Sequence, residues 1–309
     1  MRKEVFVIFL VSLLLLVSGQ EGCQSETTGK TDPFVGGKEG ILIDFVEGAP
    51  PPEVFDQGHQ FEIVVRLQNK GEHDVKSGEG KVEISGISKQ DFEGKYSKSL
   101  PDGLSGTYKN PEGDAVEGGI TYLTFENFEH QNPLEGNTMF TVRAEICYKY
   151  ETKAVTSLCV RKNILEYGEE DAVCEIAEEK QVYNSGSPIQ ITSFKQNVGG
   201  TNKLSFTFKI AHQGIGAIYS PGTLCDTSKL INRNKVKVTV ETGMLKTECY
   251  QLGGYEGDVT LYDGTASITC TQEIPTGEGA KAYEKPVTIK VLFDYKEHID
   301  APLLVKHLR

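Results

Sequence analysis

The sequence has no tryptophan and only six histidines among its 309 residues. The missing tryptophan counts against a carbohydrate-binding surface, because sugar rings usually stack on aromatic side chains, although 13 tyrosines leave that alternative open. The histidines are scattered, and no two of them have the spacing of metal ligands. We therefore expect the histidines at the surface, and we expect no bound metal.

Motifs of enzymatic chemistry are also missing. A nucleophile elbow, a phosphate-binding loop and a zinc-binding helix are not found. Gly-Glu-Gly occurs at 78–80 and at 277–279, but neither copy has the further glycines and the following helix of a nucleotide site. Carboxylates are abundant, yet abundance does not locate two of them at catalytic separation. The sequence favours a protein that is not an enzyme and holds no cofactor, and a secreted hydrolase is the third interpretation.

Positive charges are outnumbered by negative ones, since 32 Lys and Arg face 44 Asp and Glu and the net charge is −12 at pH 7. Phosphate binding requires a concentrated Lys and Arg surface, so nucleic acid is not an expected partner. Beyond the N-terminus, no segment is apolar enough to span a bilayer. What the chain does contain is many β-branched and aromatic residues, 33 glycines and 12 prolines, which predict short strands joined by turns and hence an all-β protein.

The N-terminus has the pattern of a secretory signal. Arg2 and Lys3 precede an apolar run over 5–17, and small or polar residues follow. The run is short for a spanning helix, which needs about 20 residues. We predict a signal peptide over 1–22, with an uncleaved signal anchor as the alternative.

The end of this segment resembles a bacterial or archaeal lipoprotein signal. Gly22 and Cys23 match its last two positions, whereas Gln20 and Glu21 depart from the usual leucine and small residue. The resemblance implies lipidation of Cys23 and attachment to a membrane. Ordinary cleavage near 17–19 is the competing interpretation, so the predicted location is extracytoplasmic, either membrane-anchored or secreted.

Six cysteines remain when Cys23 is set aside as an anchor, and an even number suits an oxidising compartment. Alternation over 140–160 puts two of them on the polar face of strands that we expect to turn at 151–154, which predicts a cross-strand disulfide. Cys270 shares the parity of the core residues Ala266 and Ile268, and Cys249 is its expected partner. The remaining two cysteines form the last pair by elimination. The predicted pairs are Cys147 with Cys159, Cys249 with Cys270, and Cys174 with Cys225.

Composition divides the chain into two strand-rich parts. We expect two immunoglobulin-like β-sandwich domains in tandem, because about seven short strands in about 110 residues match a sandwich. An acidic stretch between the two parts is interpreted as a solvent-exposed connector. A calcium site is not expected there, because the stretch lacks the residue spacing of a calcium-binding loop. The predicted segments are a signal peptide at 1–22, a flexible tether at 23–39, domain 1 at 40–165, a connector at 166–185, domain 2 at 186–297 and a C-terminal tail at 298–309.

A long segment without periodicity, 88–119, lies within the first strand set. A loop of this length is either functional or disordered. Phe92, Tyr96 and Tyr108 are its candidate contact residues, and a tolerated insertion is the alternative.

Two strand starts carry a resemblance to known modules. "GHQFEIVVRLQNKGEHDV" and "NKLSFTFKIAHQGIGAIY" resemble the start of CARDB-like and related immunoglobulin-like modules of secreted prokaryotic proteins, in which a strand ends in an Asn-x-Gly turn. The first copy has Asn69 and Gly71, whereas the second departs from the pattern with Gln213 and Gly214. The whole chain is also similar to archaeal surface lipoproteins with cysteine-bearing β-domains.

The resemblance implies a fold and a location but no particular ligand. We therefore expect a non-enzymatic surface protein that is anchored at the membrane and binds a protein partner or mediates adhesion. The alternative is a secreted carbohydrate-binding or enzyme-accessory module.

Overall fold

The computed structural model describes residues 32–161, 174–274 and 282–308. The predicted signal and Cys23 lie outside the described residues. Within them the regular structure is β-sheet, which confirms the all-β prediction, and a short 3-10 turn occurs at Leu230–Asn232. The described residues contain no helix of the length and apolarity that a membrane span requires. The strands are β1 Ile41–Phe45, β2 Glu53–Phe55, β3 Phe61–Asn69, β4 Gly80–Ser85, β5 Phe92–Glu93, β6 Ser97–Ser99, β7 Tyr108–Lys109, β8 Ala115–Val116, β9 Ile120–His130, β10 Thr138–Val160, β11 Tyr183–Asn184, β12 Ile189–Gly200, β13 Lys203–His212, β14 Ala217–Tyr219, β15 Lys235–Glu241, β16 Thr247–Cys249, β17 Glu256–Thr260, β18 Thr265–Glu273 and β19 Tyr283–Lys306.

The two longest strands, β10 and β19, lie at the centre of a nine-stranded sheet, here called the central sheet. They pair antiparallel along their length, from Thr138 opposite Val305 to Val160 opposite Tyr283. Strands β4 and β6 continue the sheet beyond β10, while β15 and β17 continue it beyond β19. The short strands β2, β11 and β14 pair with β10 or β19.

Two four-stranded antiparallel sheets complete the core. The first outer sheet has the order β1-β3-β9-β5, and the second outer sheet has the order β12-β13-β18-β16. Alternation in their central strands buries one face, as the sequence pattern predicts. The buried residues of these two strands include Phe61, Ile63, Val65 and Leu67 in β3, and Leu204, Phe206, Phe208 and Ile210 in β13.

Strands from both predicted domains share the central sheet. Strands β4, β6 and β10 come from the first predicted set, and β15, β17 and β19 come from the second. Residues 33–309 form one compact unit. The two halves are therefore layered onto one sheet, in contrast to the expected arrangement of two sandwiches in tandem.

The turn expected at 151–154 is not present, because β10 runs straight through it. Thr152 and Ala154 are buried and continue the inward parity of the strand. Thr152 Oγ1 bonds to Ser187 Oγ at 2.7 Å and to the Ile189 carbonyl at 2.7 Å, so its hydroxyl is satisfied inside the core.

Because β10 is one continuous strand, two of the three predicted disulfide pairings do not form. Cys147 and Cys159 do lie on the outward parity, but they are twelve positions apart on one strand, about 40 Å, so they cannot bond to each other. The predicted pairing of Cys147 with Cys159 is therefore wrong, and so is that of Cys174 with Cys225. The pairing of Cys249 with Cys270, which lie opposite each other in β16 and β18, is confirmed. The bonds formed are Cys147–Cys225, Cys159–Cys174 and Cys249–Cys270.

Two segments expected to be irregular are built into the fold. Most of the predicted tail, 298–309, is the end of β19, where Leu303 and Val305 are completely buried. The end of the predicted tether is also held, because the Glu72 carboxylate accepts hydrogen bonds from Val35 N at 3.0 Å and Gly36 N at 2.8 Å.

The predicted connector, 166–185, lies partly outside the described residues, which resume at Cys174. Its described part contacts strands of both halves, since β11 pairs with β10. Cys174 is bonded to Cys159 of β10, and Lys180 N donates to the Phe194 carbonyl of β12 at 2.8 Å. This part of the segment therefore covers the edge of β12.

Three buried tyrosines mark the place where the loops of the two outer sheets meet, here called the waist. Tyr148 OH accepts a hydrogen bond from Ile41 N at 2.9 Å, and Tyr295 OH accepts one from Gly216 N at 2.8 Å. Tyr150 OH donates to Asn69 Oδ1 at 2.9 Å. Each hydroxyl therefore fixes a loop against the central sheet.

Candidate functional site

The predicted contact residues do not form a common surface. Phe92 is completely buried, and its ring meets the rings of Phe61 and Phe140 edge to face. Tyr96 is partly buried, donates to the Phe92 carbonyl at 2.9 Å, and has its pKa raised to about 12 by burial. Tyr108 is exposed in β7. The structure thus places two of the three residues in the packing of the first half.

A better candidate is the connection between β14 and β15, residues 220–234, here called the clamped loop. Its ends are tied together, because Ser220 N donates to the Asn232 carbonyl at 2.7 Å and Asn234 N donates to the Ile218 carbonyl at 2.9 Å. The disulfide from Cys225 to Cys147 fastens its middle to the outward face of β10. A loop of this length is therefore held at both ends and at its centre.

A buried carboxylate provides a further attachment. Asp294 of β19 is almost fully buried, and it accepts hydrogen bonds from Gly222 N at 3.0 Å and Leu224 N at 2.7 Å. Successive backbone N–H groups that converge on one anion form a nest. Burial raises the pKa of Asp294, and the hydrogen bonds from the loop backbone oppose that shift. The carboxylate thus fixes the path of the loop.

The backbone is unusual where these attachments meet. Leu224 has φ of 48° and Cys225 has φ of 54°, so two consecutive residues with side chains are left-handed. Such conformations are costly for residues other than glycine, and they persist where the surroundings impose them. Here the imposing contacts are the disulfide and Asp294, and the result is that the Leu224 side chain is more than half exposed.

Three aliphatic side chains of the clamped loop face solvent. Leu230 is 73% exposed and Ile231 is 70% exposed, both in the 3-10 turn, and Leu224 is the third. Single exposed apolar residues are ordinary, but three on one held loop are candidates for contact with an apolar partner surface. Little conformational entropy would be lost on binding, because the backbone is already fixed.

A cleft of about 220 Å³ lies at the foot of the clamped loop, beside the disulfide. Its charges are mixed and largely paired: Lys296 Nζ lies 3.1 Å from Glu145 Oε2, and Lys81 forms an ion pair with Glu83. The lining residues are Lys81, Glu83, Glu145, Cys147, Leu224, Cys225, Asp226, Thr227 and Lys296.

Asp226 adds an acidic group at the rim of the cleft. Hydrogen bonds from Ser228, through its hydroxyl at 2.6 Å and its backbone N–H at 3.0 Å, lower the pKa of Asp226. The carboxylate is therefore ionised at neutral pH. The cleft can exchange ion pairs with a partner at its rim, which contributes more to specificity and association rate than to affinity.

Both cysteines of this site are oxidised. They are bonded to each other, so neither is a thiolate nucleophile. Across the described ranges, no group of three or more His, Cys, Asp or Glu side chains is arranged to hold a metal ion. The site therefore offers exposed aliphatic side chains on a fixed loop and, beside Leu224, a charged cleft.

Sequence reasoning identified Cys225 as disulfide-bonded but did not recognise the loop around it. One signal was present, since "SPGTLCDTSKLINRNK" places isolated leucines and an isoleucine among turn residues and polar residues. Apolar residues without periodicity in such a stretch are not explained by a strand or helix face. The clamp by Asp294 could not be found, because that residue lies about 70 positions away.

No protein-family model matches the chain. No curated protein matches it either.

Proposed function

We propose that this protein is a non-enzymatic binding protein of the cell surface whose clamped loop contacts a protein partner. The observation that carries the proposal is the exposure of Leu224, Leu230 and Ile231 on a loop that a disulfide and a buried carboxylate hold in place. Exposed apolar residues next to a charged rim are the usual anatomy of a protein-binding patch.

The location is supported by the disulfides. Three disulfides link separate segments among the described residues. Disulfides are typical of proteins in oxidising, extracytoplasmic compartments. We propose in addition that the N-terminal segment directs export and that Cys23 anchors the protein to a membrane. Support for this part comes from the charged start, the apolar run and the Gly22-Cys23 pair.

We propose that each half of the molecule is an immunoglobulin-like sandwich that shares the central sheet with the other half. The four-stranded antiparallel outer sheets support this relationship, because each presents an alternating apolar face to the common core. The resemblance to CARDB-like modules belongs to the same proposal.

The test is site-specific photocrosslinking in the full-length protein in its native envelope. A photoreactive residue at Ile231 is expected to give a discrete protein adduct that mass spectrometry identifies. The matched control is the same residue at Leu245, which is 86% exposed and lies outside the clamped loop. The added change Leu230→Ser is expected to reduce the adduct formed from position 231.

The proposal is wrong if position 231 gives no protein adduct, or if positions 231 and 245 give the same set of adducts. Far-ultraviolet circular dichroism of the purified variants checks that each of them keeps the β-sheet structure.

A further inference from the structure

The outward face of the first outer sheet carries a row of three polar and aromatic side chains. Asp44 of β1 is paired with Arg66 of β3, and Arg66 is paired with Tyr122 of β9. Neighbouring strands lie about 4.8 Å apart, and residues in register point to the same side. The three side chains therefore stand side by side, and we call them the tyrosine row.

Tyr122 of the tyrosine row is exposed to solvent on a paired strand. Tyr122 is 57% exposed, and at this position β9 pairs with β3 on one side, since β5 pairs with β9 only at Glu129 and His130. The adjacent residue Leu123 is buried. More than half of the surface of Tyr122 is therefore available to a ligand. The ladder with β3 fixes the backbone that carries the ring, so no loop has to become ordered when a ligand covers it.

The Arg66 guanidinium has N–H groups that can donate hydrogen bonds to a ligand. One Nη donates to Gln68 Oε1 at 2.6 Å, and the other lies 3.8 Å from Asp44 Oδ2, which is beyond hydrogen-bonding distance. A guanidinium has five N–H donors in a planar fork. The Asp44 carboxylate is a partly exposed acceptor beside it. The row thus offers donors and acceptors next to an aromatic face.

This combination suits a sugar ring. The C–H face of a pyranose is apolar and packs on an aromatic ring, while its hydroxyl groups both donate and accept hydrogen bonds at the edge. An extended protein partner is a poorer fit, since a stable interface buries about 800 Å² on each side with an apolar core, and Ile120 and Tyr122 are the exposed large apolar residues of β9.

The charges of the row and of the whole chain favour a neutral sugar over an acidic one. Arg66 and Asp44 oppose each other in the row, and the chain carries a net charge of −12. A uronic or sialic acid would meet the Asp44 carboxylate and the overall negative field of the protein. A neutral sugar meets neither penalty.

We infer that the tyrosine row is a binding site for neutral glycans, with Tyr122 as the stacking platform and Arg66 and Asp44 as hydrogen-bonding groups. The site is separate from the clamped loop. It adds a second binding activity to the proposed protein contact and does not depend on it.

The experiment uses the folded, disulfide-bonded protein on an array of neutral and acidic oligosaccharides, followed by calorimetric titration of the neutral oligosaccharides that are retained. Tyr122→Ala is expected to weaken binding by about tenfold or more, which corresponds to about 1.4 kcal/mol. Tyr122→Phe keeps the ring and is expected to bind within about threefold of the unchanged protein, since only the hydroxyl is lost. Tyr262→Ala removes a tyrosine that is 78% exposed at the turn before β18, and it is expected to leave binding unchanged.

Three results would overturn the inference: no retention of any neutral oligosaccharide, retention of acidic oligosaccharides alone, or equal losses from Tyr122→Ala and Tyr262→Ala. Thermal unfolding of each variant separates loss of binding from loss of fold. Leu230→Ser/Ile231→Ser is expected to bind the same oligosaccharides as the unchanged protein. Failure of the protein-partner proposal therefore stays distinguishable from failure of the glycan site.

Discussion

At the scale of single residues, the carboxyl of Glu297 is the group whose ionisation bears most directly on stability near neutral pH. It lies in β19 at the waist, where burial and the nearby Glu39 carboxylate raise its pKa from 4.5 to about 7. Proton binding is then stronger in the folded state than in the unfolded chain. This contribution to stability is complete below pH 4.5 and is lost as the pH rises to about 7.

Replacement of Glu297 by Gln should remove that loss. We expect Glu297→Gln to be more stable than the unchanged protein at pH 8 by about 1–2 kcal/mol, a value reduced for partial solvent screening, and to show a much smaller difference at pH 4.5. Urea denaturation at the two pH values measures this. The control is Glu62→Gln, an exposed carboxyl on β3, and a gain for Glu297→Gln that is the same at both pH values would contradict the account.

Single residues also show why the sequence could not predict all of the strand pattern. The expected turn at 151–154 has the sequence Glu-Thr-Lys-Ala, which lacks the Gly, Pro, Asn and Asp of common turns. Alternation continued through it with Thr152 and Ala154 on the inward parity. That alternation was the available signal for a continuous strand, whereas the hydrogen bond that satisfies the buried Thr152 hydroxyl depends on Ser187, 35 positions away.

At the scale of elements, the disulfides link parts of the chain at very different separations. Cys147 and Cys225 are 78 positions apart, whereas Cys159 and Cys174 are 15 apart. The outward parity of two cysteines in β10 was predictable from the alternation. Their partners were not, because each belongs to a segment that folds back onto β10 without strand periodicity of its own.

Loss of the Cys147–Cys225 disulfide should lower the free energy of unfolding by more than loss of the Cys159–Cys174 disulfide. In the chain-entropy model, a 78-residue loop contributes about 4.5 kcal/mol and a 15-residue loop about 3 kcal/mol. We expect Cys147→Ser/Cys225→Ser to lower the free energy of unfolding by more than Cys159→Ser/Cys174→Ser does. Urea denaturation without reductant measures both double variants, and the reverse order would contradict the expectation.

The candidate sites differ in how far the sequence reveals them. Phe92, Tyr96 and Tyr108 looked alike as aromatic residues of a long loop, yet tertiary packing buries Phe92, partly buries Tyr96 and exposes Tyr108. Tyr122 lies in β9 and is exposed, whereas its neighbour Leu123 is buried. Its neighbours in the row could not be foreseen, because they depend on the register between strands that are far apart in sequence.

At the scale of the whole molecule, the waist joins the two halves through Glu72. Its carboxylate accepts hydrogen bonds from Val35 N, Gly36 N and Gly186 N, so it binds three separate parts of the chain at one point. Glutamine has one acceptor oxygen in place of two. At least one backbone N–H would then lose its partner.

We expect Glu72→Gln to lower the free energy of unfolding by about 1–3 kcal/mol, the cost of a buried donor without a partner. Because both halves share the central sheet, unfolding is expected to remain a single transition that is the same by near- and far-ultraviolet circular dichroism. Glu62→Gln again serves as the exposed control. Two separated transitions in the unchanged protein would indicate independent domains.

The central claim is that one continuous strand, β10, carries the clamped loop on its outward face through Cys147–Cys225. Tryptic peptide mapping without reduction tests it directly, because lysines at 149 and 153 separate the two cysteines of β10. The account predicts a link between peptides 144–149 and 210–229 and another between 154–161 and 163–180. A link between 144–149 and 154–161 would restore a hairpin in place of the continuous strand and contradict the account.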